Sequence, residues 1–369
     1  MGSKAKPVVK GQTILGTVKT VRGEFWLKAD KHGIMRNLFG YLLTHYARMY
    51  DIYIHSVVVM SNHYHVMFTD PFGRRTYFFK SLNAALATHI KIRFCRSDGT
   101  LFKKNDLHQM VLLDQEIIED KHIYTITNPV CANIVERYEQ YEHLVISHHH
   151  WNKPQPFERP EWFNTERWPN QHLILNPCPP SYFQSNTYED NIAIFDDFVA
   201  RSHQRYDEHR THPVCGMEAV FAYPRHHSPN ADQYIAIDDD IILSDDFTPP
   251  TPPPPPEHPT PELRFYRVSG EDRGRPDFCT TDPVLASNYQ SRISSWDTHY
   301  AESRADFPDN HDVCFPPGTN KLAQLGVNVE PLTDDDWLNP FYYGNCFVVP
   351  LEPSDSLDSP NLPDPPDDG

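Results

Sequence analysis

Apolar residues recur with two different periods over the first third of the chain. Alternating or β-branched runs are typical of strands, and apolar positions three or four residues apart are typical of helices. The predicted elements, in chain order, are a strand over residues 13–20, a helix over 34–50 that follows Asp30, a strand over 52–60, its hairpin partner over 63–68, a helix over 74–95, a short strand over 110–113, and a helix that follows Asp114 and ends by Asn128, before Pro129. This order favours an α+β fold of the ferredoxin-like kind, an antiparallel sheet with helices on one face.

The pattern becomes irregular after residue 150, where proline, tryptophan and asparagine interrupt the apolar spacing. Helices are predicted only over 191–207 and 285–305. The run Pro252–Pro256 lies in an acidic stretch and indicates a stiff linker. We therefore divide the irregular, acidic, proline-rich C-terminal region into an accessory segment over 151–237, a linker over 238–263, a second accessory segment over 264–350 and a disordered tail over 351–369.

Charge is unevenly distributed along the 369 residues, whose formal net charge is −17. Residues 1–150 hold 19 basic and 13 acidic side chains, whereas residues 151–369 hold 14 basic and 37 acidic ones. The basic first half is compatible with a nucleic-acid partner, although the whole chain is acidic. The acidic second half either keeps the protein soluble or imitates DNA and restrains the basic half.

Four classes of protein are disfavoured by the sequence. It has no apolar run of about 18 residues, so we expect no membrane span, and its first ten residues lack the apolar core of a signal peptide. The seven cysteines stand singly, which argues against a disulfide scaffold or a zinc ribbon. We expect a cytoplasmic protein with free thiols.

His63 and His65 flank Tyr64 on a predicted strand. Because side chains alternate across a strand, both imidazoles project from one face, where two of them can hold a divalent metal ion. On the last predicted helix, Tyr124 and Asn128 are four residues apart and share a face. A metal held by His63, His65 and the Asn128 oxygen could polarise a phosphate that the Tyr124 phenol attacks.

These segments together resemble a known family. Residues 60–65 (Met-Ser-Asn-His-Tyr-His) look like a Met-x-Asn-His-x-His motif, and residues 124–132 look like a Tyr-x-x-x-Asn-Pro-Val-x-Ala motif. Residues 99–102 (Gly-Thr-Leu-Phe) resemble the turn usual between them. Over about residues 10–147, the chain is similar to the single-tyrosine HUH transposases, the insertion sequence 200-like and REP-associated tyrosine transposases.

The resemblance implies a catalytic domain over 10–147 that cleaves and joins single-stranded DNA, often beside a hairpin, with Mg²⁺ or Mn²⁺. It implies that His63, His65 and Asn128 are metal ligands and that Tyr124 is the nucleophile, which keeps the 5′-phosphate. The family includes both dimers and monomers, so the resemblance leaves open whether this chain forms a homodimer. It also implies a protein that acts on DNA in the cytoplasm, at the nucleoid. Many members carry Arg at the position of Cys131 and a basic Gly-Arg-Tyr-like segment at that of residues 103–105.

Basic residues near these motifs are candidate DNA contacts, because phosphate neutralisation supplies most non-specific affinity. They are Lys80, Lys91, Arg93, Arg96, Lys103 and Lys104. Two alternatives to a DNA-nicking transposase remain open. One is a non-catalytic nucleic-acid-binding regulator on the same fold, and the other is a metal-dependent phosphodiesterase that uses water. The histidines at 148–150 and 226–227 could bind a metal adventitiously, but the favoured interpretation is that they are exposed loop residues.

Overall fold

The structure is a computed structural model that describes residues 7–96, 99–103, 107–184, 186–228, 266–268, 278–308, 310–319 and 327–331. The strands are β1 (Gln12–Lys19), β2 (Tyr53–Val59), β3 (His63–Asp70), β4 (His108–Leu112), β5 (Val145–Ile146), β6 (Gln155–Glu158), β7 (His172–Leu175), β8 (Tyr266–Val268) and β9 (Phe278–Thr280). The α-helices are α1 (Ile34–Met49), α2 (Arg75–Phe94), α3 (Gln115–Ile126), α4 (Asn128–Cys131), α5 (Tyr188–His209), α6 (Gly216–Ala222) and α7 (Pro283–Asp306). The fold is α+β, as predicted. The predicted linker over 238–263 and tail over 351–369 lie outside the described residues.

Seven strands form the main sheet of the described chain, in the order β5-β2-β3-β1-β4-β9-β8. The four central strands pair antiparallel, with β1 between β3 and β4. The prediction of a purely antiparallel sheet is wrong at one edge, because β9 pairs parallel to β4 and makes the sheet mixed. This pairing occupies backbone groups of β4 that an edge strand would leave open.

One face of the sheet is covered by α1 and α2. Gly33 is the N-cap of α1, rather than Asp30 as the sequence suggested, but the Asp30 carboxylate accepts hydrogen bonds from the backbone N–H groups of Ile34 and Met35, both at 2.9 Å. Gly16 of β1 lets α2 approach closely, since a Cβ at this position would lie 2.3 Å from Cζ of Phe79. The buried apolar residues of α1 and α2 belong to one large core with Ile14 and Val18 of β1.

The expectation of helices on only one face is also wrong, because α3 and α5 cover the second face. Met67 of β3 is fully buried there, in a cluster with Ile117 and Ile118 of α3 and Phe195 of α5. The central strands carry apolar side chains on both faces, and a sheet of this kind must be covered twice. The site residues of β3 face this second layer.

The C-terminal chain contributes to this architecture. The helices predicted over 191–207 and 285–305 are present as α5 and α7. Tyr289 of α7 packs on Phe278 of β9 with ring centroids 4.6 Å apart and accepts a hydrogen bond from Gln12 Nε2 at 3.1 Å. The domain boundaries proposed above stay a prediction.

Two expectations from the sequence, about membrane-spanning helices and about the cysteines, concern the described residues as a whole. None of their helices is both long and apolar enough to cross a membrane. The cysteines among them are free thiols, at positions 95, 131, 178, 215, 279 and 314.

Candidate metal and tyrosine site

β3 places His63 and His65 on the same face of the sheet. Their ring centroids are 4.9 Å apart, and Tyr64 between them points into the opposite core. The register with β1 puts Lys19 opposite His63 and Thr17 opposite His65. Directly opposed residues of antiparallel strands share a face, so these side chains adjoin the two imidazoles.

The two imidazoles are oriented through their Nδ1 atoms. Asn62 Oδ1 lies 2.7 Å from Nδ1 of His63, and Thr17 Oγ1 lies 2.8 Å from Nδ1 of His65. Because an amide oxygen only accepts, His63 donates from Nδ1 and keeps a lone pair on Nε2. Nε2 of His65 is buried and has no hydrogen-bond partner among the described residues. A buried ring nitrogen with no protein partner, held by a bond at its other nitrogen, fits a metal ligand.

Both histidines are held in the neutral form that binds metals. Burial and, to a smaller extent, the nearby Lys19 ammonium lower the pKa of His63 to about 4, although a hydrogen bond with Asn128 acts in the opposite direction. Burial also lowers the pKa of His65 well below its ordinary value, with smaller contributions from His63, Lys19 and His108. At neutral pH the pair is therefore uncharged, as imidazole ligands must be.

Tyr124 stands beside this pair on α3. The helix begins after Asp114, whose carboxylate accepts the N–H of Ile117 at 2.9 Å. The Tyr124 and His65 rings meet edge to face with centroids 5.4 Å apart. Tyr124 is 38 % exposed, so its side chain is accessible from solvent. Since all these residues lie in one chain, the tyrosine helix adjoins the histidine pair of its own subunit.

Asn128 reaches the histidine pair from just beyond the C-terminal end of α3, four residues after Tyr124. The helix ends at Ile126, two residues earlier than its predicted limit, and α4 begins at Asn128 with Pro129 in its first turn. Asn128 is buried, and its side chain hydrogen-bonds to His63. Two neutral imidazoles and an amide oxygen form a mixed nitrogen and oxygen donor set that fits a divalent cation.

A second group of metal-binding side chains lies elsewhere on the same face. Ligand atoms of His148, His149 and Asp196 lie within 4.8 Å of one another, so this group could also hold a metal ion. The sequence analysis treated the two histidines as exposed loop residues. That interpretation is wrong for His148, which is fully buried.

No protein-family model matches the chain, and no curated protein matches it. Among solved structures it is similar to a REP-associated tyrosine transposase bound to a REP hairpin, with 12% identity over 41% of this chain and 85% of that one and a TM-score of 0.33. It is also similar to a protein named as a transposase from Deinococcus radiodurans R1, with 18% identity over 34% of this chain and 97% of that one and a TM-score of 0.25. At these TM-scores neither likeness supports a functional conclusion, which has to come from the geometry of the site.

The candidate DNA contacts are not brought together with the tyrosine. Lys80, Lys91 and Arg93 are exposed on α2, which covers the opposite face of the sheet. Lys103 is exposed and follows the bridge between Thr20 and Phe102 at the His63 end of β1. Lys104 lies outside the described residues.

Arg96 does not fit the role of a DNA contact. Its side chain is buried, 3.7 Å from the Glu24 carboxylate, with its guanidinium 5.1 Å from the centroid of the Trp26 ring. Burial beside a carboxylate and an indole removes it from phosphate contact, so it leaves the DNA-binding set.

Three polar residues of the site were missed by the sequence analysis. Thr17 and Lys19 lie on β1 beside the two imidazoles, and His108 of β4 pairs with Thr17 on the other side. The alternation of side chains along each strand can be predicted from the sequence. The pairing of β1 with β3 and β4, which places these residues beside His65, cannot.

Cys131 stands where many members of the family that the motifs resemble carry arginine, and its surroundings suit the smaller side chain. Cys131 is buried, and burial raises the pKa of its thiol. Tyr206 of α5 hydrogen-bonds to Cys131 and to Thr127. An arginine at this position would have to displace the Tyr206 ring, so the small thiol and the covering helix α5 belong together.

Proposed function

We propose that the protein is a metal-dependent enzyme that nicks and rejoins single-stranded DNA through a tyrosine, on a ferredoxin-like unit formed by β1 to β4 with α1 and α2. Tyr124 is the nucleophile, and His63, His65 and Asn128 hold Mg²⁺ or Mn²⁺. The observation that carries the proposal is the edge-to-face contact of the Tyr124 and His65 rings, with centroids 5.4 Å apart. The DNA partner is single-stranded and associated with a hairpin, as the motif resemblance implies.

In the proposed reaction, Tyr124 supplies the nucleophile, and His63, His65 and Asn128 supply the ligands of the metal ion. When bound, the metal ion supplies positive charge that polarises the scissile phosphate. Oη of Tyr124 attacks phosphorus, its proton passes to water at the exposed ring, and the bond between phosphorus and the 3′-oxygen breaks. The 3′-oxygen leaves and takes up a proton, while the 5′-phosphate stays on Tyr124. Reversal with a different 3′-hydroxyl joins two strands without an external energy source.

Two cations adjoin the site and favour a phosphate there. Lys19 lies opposite His63 in the β1–β3 register. Lys121 Nζ lies 5.8 Å from the centroid of the Tyr124 ring and pairs with Asp120 at 2.6 Å. We propose that Lys19 and Lys103 contact the DNA backbone near the cleaved bond.

The test uses the full chain and a pool of labelled single-stranded oligonucleotides that contain hairpins. With Mn²⁺, the protein should form a covalent adduct with the 5′ end, detected on a denaturing gel. Tyr124→Phe should abolish the adduct and keep DNA binding, and the control Tyr77→Phe, on the opposite face, should keep both.

Three outcomes contradict the proposal. An adduct that survives in the Tyr124→Phe variant removes this tyrosine from the reaction. Multiple turnovers without an adduct indicate hydrolysis by water. DNA binding that needs no metal and gives neither product indicates the non-catalytic regulator.

A further inference from the structure

His148, His149 and Asp196 come from parts of the chain that are about fifty residues apart. His148 and His149 lie on a single 3-10 turn that follows β5, and Asp196 lies on α5. Nε2 of His148 is 3.0 Å from Oδ1 of Asp196, and Nε2 of His149 is 2.9 Å from the same oxygen. Donor atoms around one ion with bonds of 2.0–2.1 Å are spaced by about 3 Å, so only small shifts are needed to admit it.

The His122 ring contacts His148 at the nitrogen that a metal ion would leave free, so it could orient His148 as a ligand. Nε2 of His122 lies 3.3 Å from Nδ1 of His148, at the nitrogen that faces away from Asp196. His122 is fully buried, and its Nδ1 has no hydrogen-bond partner among the described residues. If His122 keeps its hydrogen on Nδ1, its Nε2 accepts a hydrogen bond from Nδ1–H of His148. Nε2 of His148 then carries no hydrogen, and its lone pair points at the Asp196 carboxylate. A cation between that lone pair and Asp196 satisfies both groups.

Both supports of the cluster are fixed by contacts of their own. Trp151, one residue after the turn, donates from Nε1 to the backbone oxygen of His55 on β2 at 2.8 Å. Phe195, next to Asp196, is fully buried and packs edge to face on Trp151 with ring centroids 5.0 Å apart. The donor atoms are thus presented by rigid elements, which lowers the cost of organising a metal site.

We propose that His148, His149 and Asp196 form a second metal site, specific for a divalent transition metal of the zinc type, which fastens α5 to the edge of the main sheet. Two imidazoles and one carboxylate are ligands that Zn²⁺ binds in tetrahedral protein sites, with the fourth position left for water. The fastened helix carries Tyr206, which hydrogen-bonds to Thr127 beside the tyrosine helix. The site is separate from His63 and His65 and does not depend on the proposed DNA chemistry.

The test measures Zn²⁺ binding to the full chain in a His63→Ala/His65→Ala background, which removes the first pair of imidazoles. After chelator treatment, titration calorimetry with Zn²⁺ should give one site per chain. Saturating Zn²⁺ should raise the midpoint of thermal unfolding by roughly 5 to 10 °C. It should also slow backbone hydrogen exchange over α5.

Asp196→Asn should weaken Zn²⁺ binding at least tenfold and remove both the thermal shift and the protection of α5. Asp196 is 49% exposed, so this variant should fold. The matched control is Asp197→Asn, whose carboxylate pairs with Arg201 at 3.0 Å on the exposed side of α5. Equal Zn²⁺ affinity in the two variants, or no Zn²⁺ binding in the starting background, would reduce the cluster to hydrogen bonds between two histidines and an aspartate and overturn the proposal.

Discussion

The two histidine clusters on the second face of the sheet differ in what stands beside the imidazoles. At the first, His63 and His65 adjoin the exposed phenol of Tyr124 and the amide of Asn128. At the second, His148 and His149 converge on one carboxylate oxygen of Asp196. A carboxylate completes a tight metal site, whereas a phenol beside neutral ligands offers a nucleophile for a substrate bound to the metal.

The clusters also differ in how they are built. The first stands on strand β3 and on the helix that follows β4, all within the first 131 residues. The second joins the 3-10 turn that follows β5 to α5. In our two proposals the first cluster carries the chemistry and the second attaches α5, and the variants below can separate the two roles.

The largest expected effect belongs to His65→Ala. Loss of a proposed metal ligand whose ring touches Tyr124 should slow DNA nicking on the order of 10³-fold, measured as adduct formed per minute at saturating Mn²⁺. The control is His172→Ala, because His172 is exposed on the small β6–β7 sheet. Nicking by His65→Ala at the rate of this control would break the assignment of chemistry to the first cluster.

Asn128→Ala should have a smaller effect, because two imidazoles remain. We expect a loss of nicking of roughly 10- to 100-fold, partly recovered at higher Mn²⁺ concentration, since the defect lies in metal affinity. The measurement is the Mn²⁺ dependence of adduct formation. A loss that no Mn²⁺ concentration restores would indicate that Asn128 acts by holding His63 rather than by binding the ion.

The outer shells of the two clusters give a reciprocal pair of variants. Thr17→Val removes the hydroxyl 2.8 Å from Nδ1 of His65 and should lower the nicking rate about tenfold while Zn²⁺ binding at the second cluster is unchanged. His122→Gln should do the opposite and weaken Zn²⁺ binding about tenfold while the adduct still forms. If each variant lowers both quantities, the clusters are coupled and the separation of roles fails.

Asp114→Ala should have the smallest effect on the chemistry. This residue caps α3 and also accepts the backbone N–H of Thr281 at 2.7 Å. We expect a loss of roughly 1 to 2 kcal/mol in the free energy of unfolding, measured by urea denaturation. Adduct formation well below the unfolding midpoint should persist. Loss of the adduct in protein that is still folded would show that the start of α3 controls the position of Tyr124.

Much of the first cluster could be predicted from the sequence, because it depends on strand alternation and helix capping, which act over a few residues. Alternation along a strand places His63 and His65 on one face, and Asp114 begins a helix that carries Tyr124. These patterns depend only on the strand and helix periods. The roles of His63, His65, Tyr124 and Asn128 in catalysis stay predictions, although the structure brings all four together.

Other features needed contacts between distant parts of the chain. The sequence analysis placed helices on one face only, since it could not tell that Leu15 and Met67 require a second layer made partly by α5. It also counted Arg96 among the DNA contacts, because a sequence does not reveal that Glu24 and Trp26 enclose its side chain.

The sequence by itself determined the order of the first four strands and three helices, the shared face of the two imidazoles and the helix that presents the phenol. Only the tertiary structure decided that this helix covers the histidine face, that Thr17 and Lys19 flank the pair, and that Asp196 meets His148 and His149. The physical reason is the range of the forces involved. Periodicity and capping act over a few residues, whereas strand register and the packing of Phe195 on Trp151 arise only when the whole core closes.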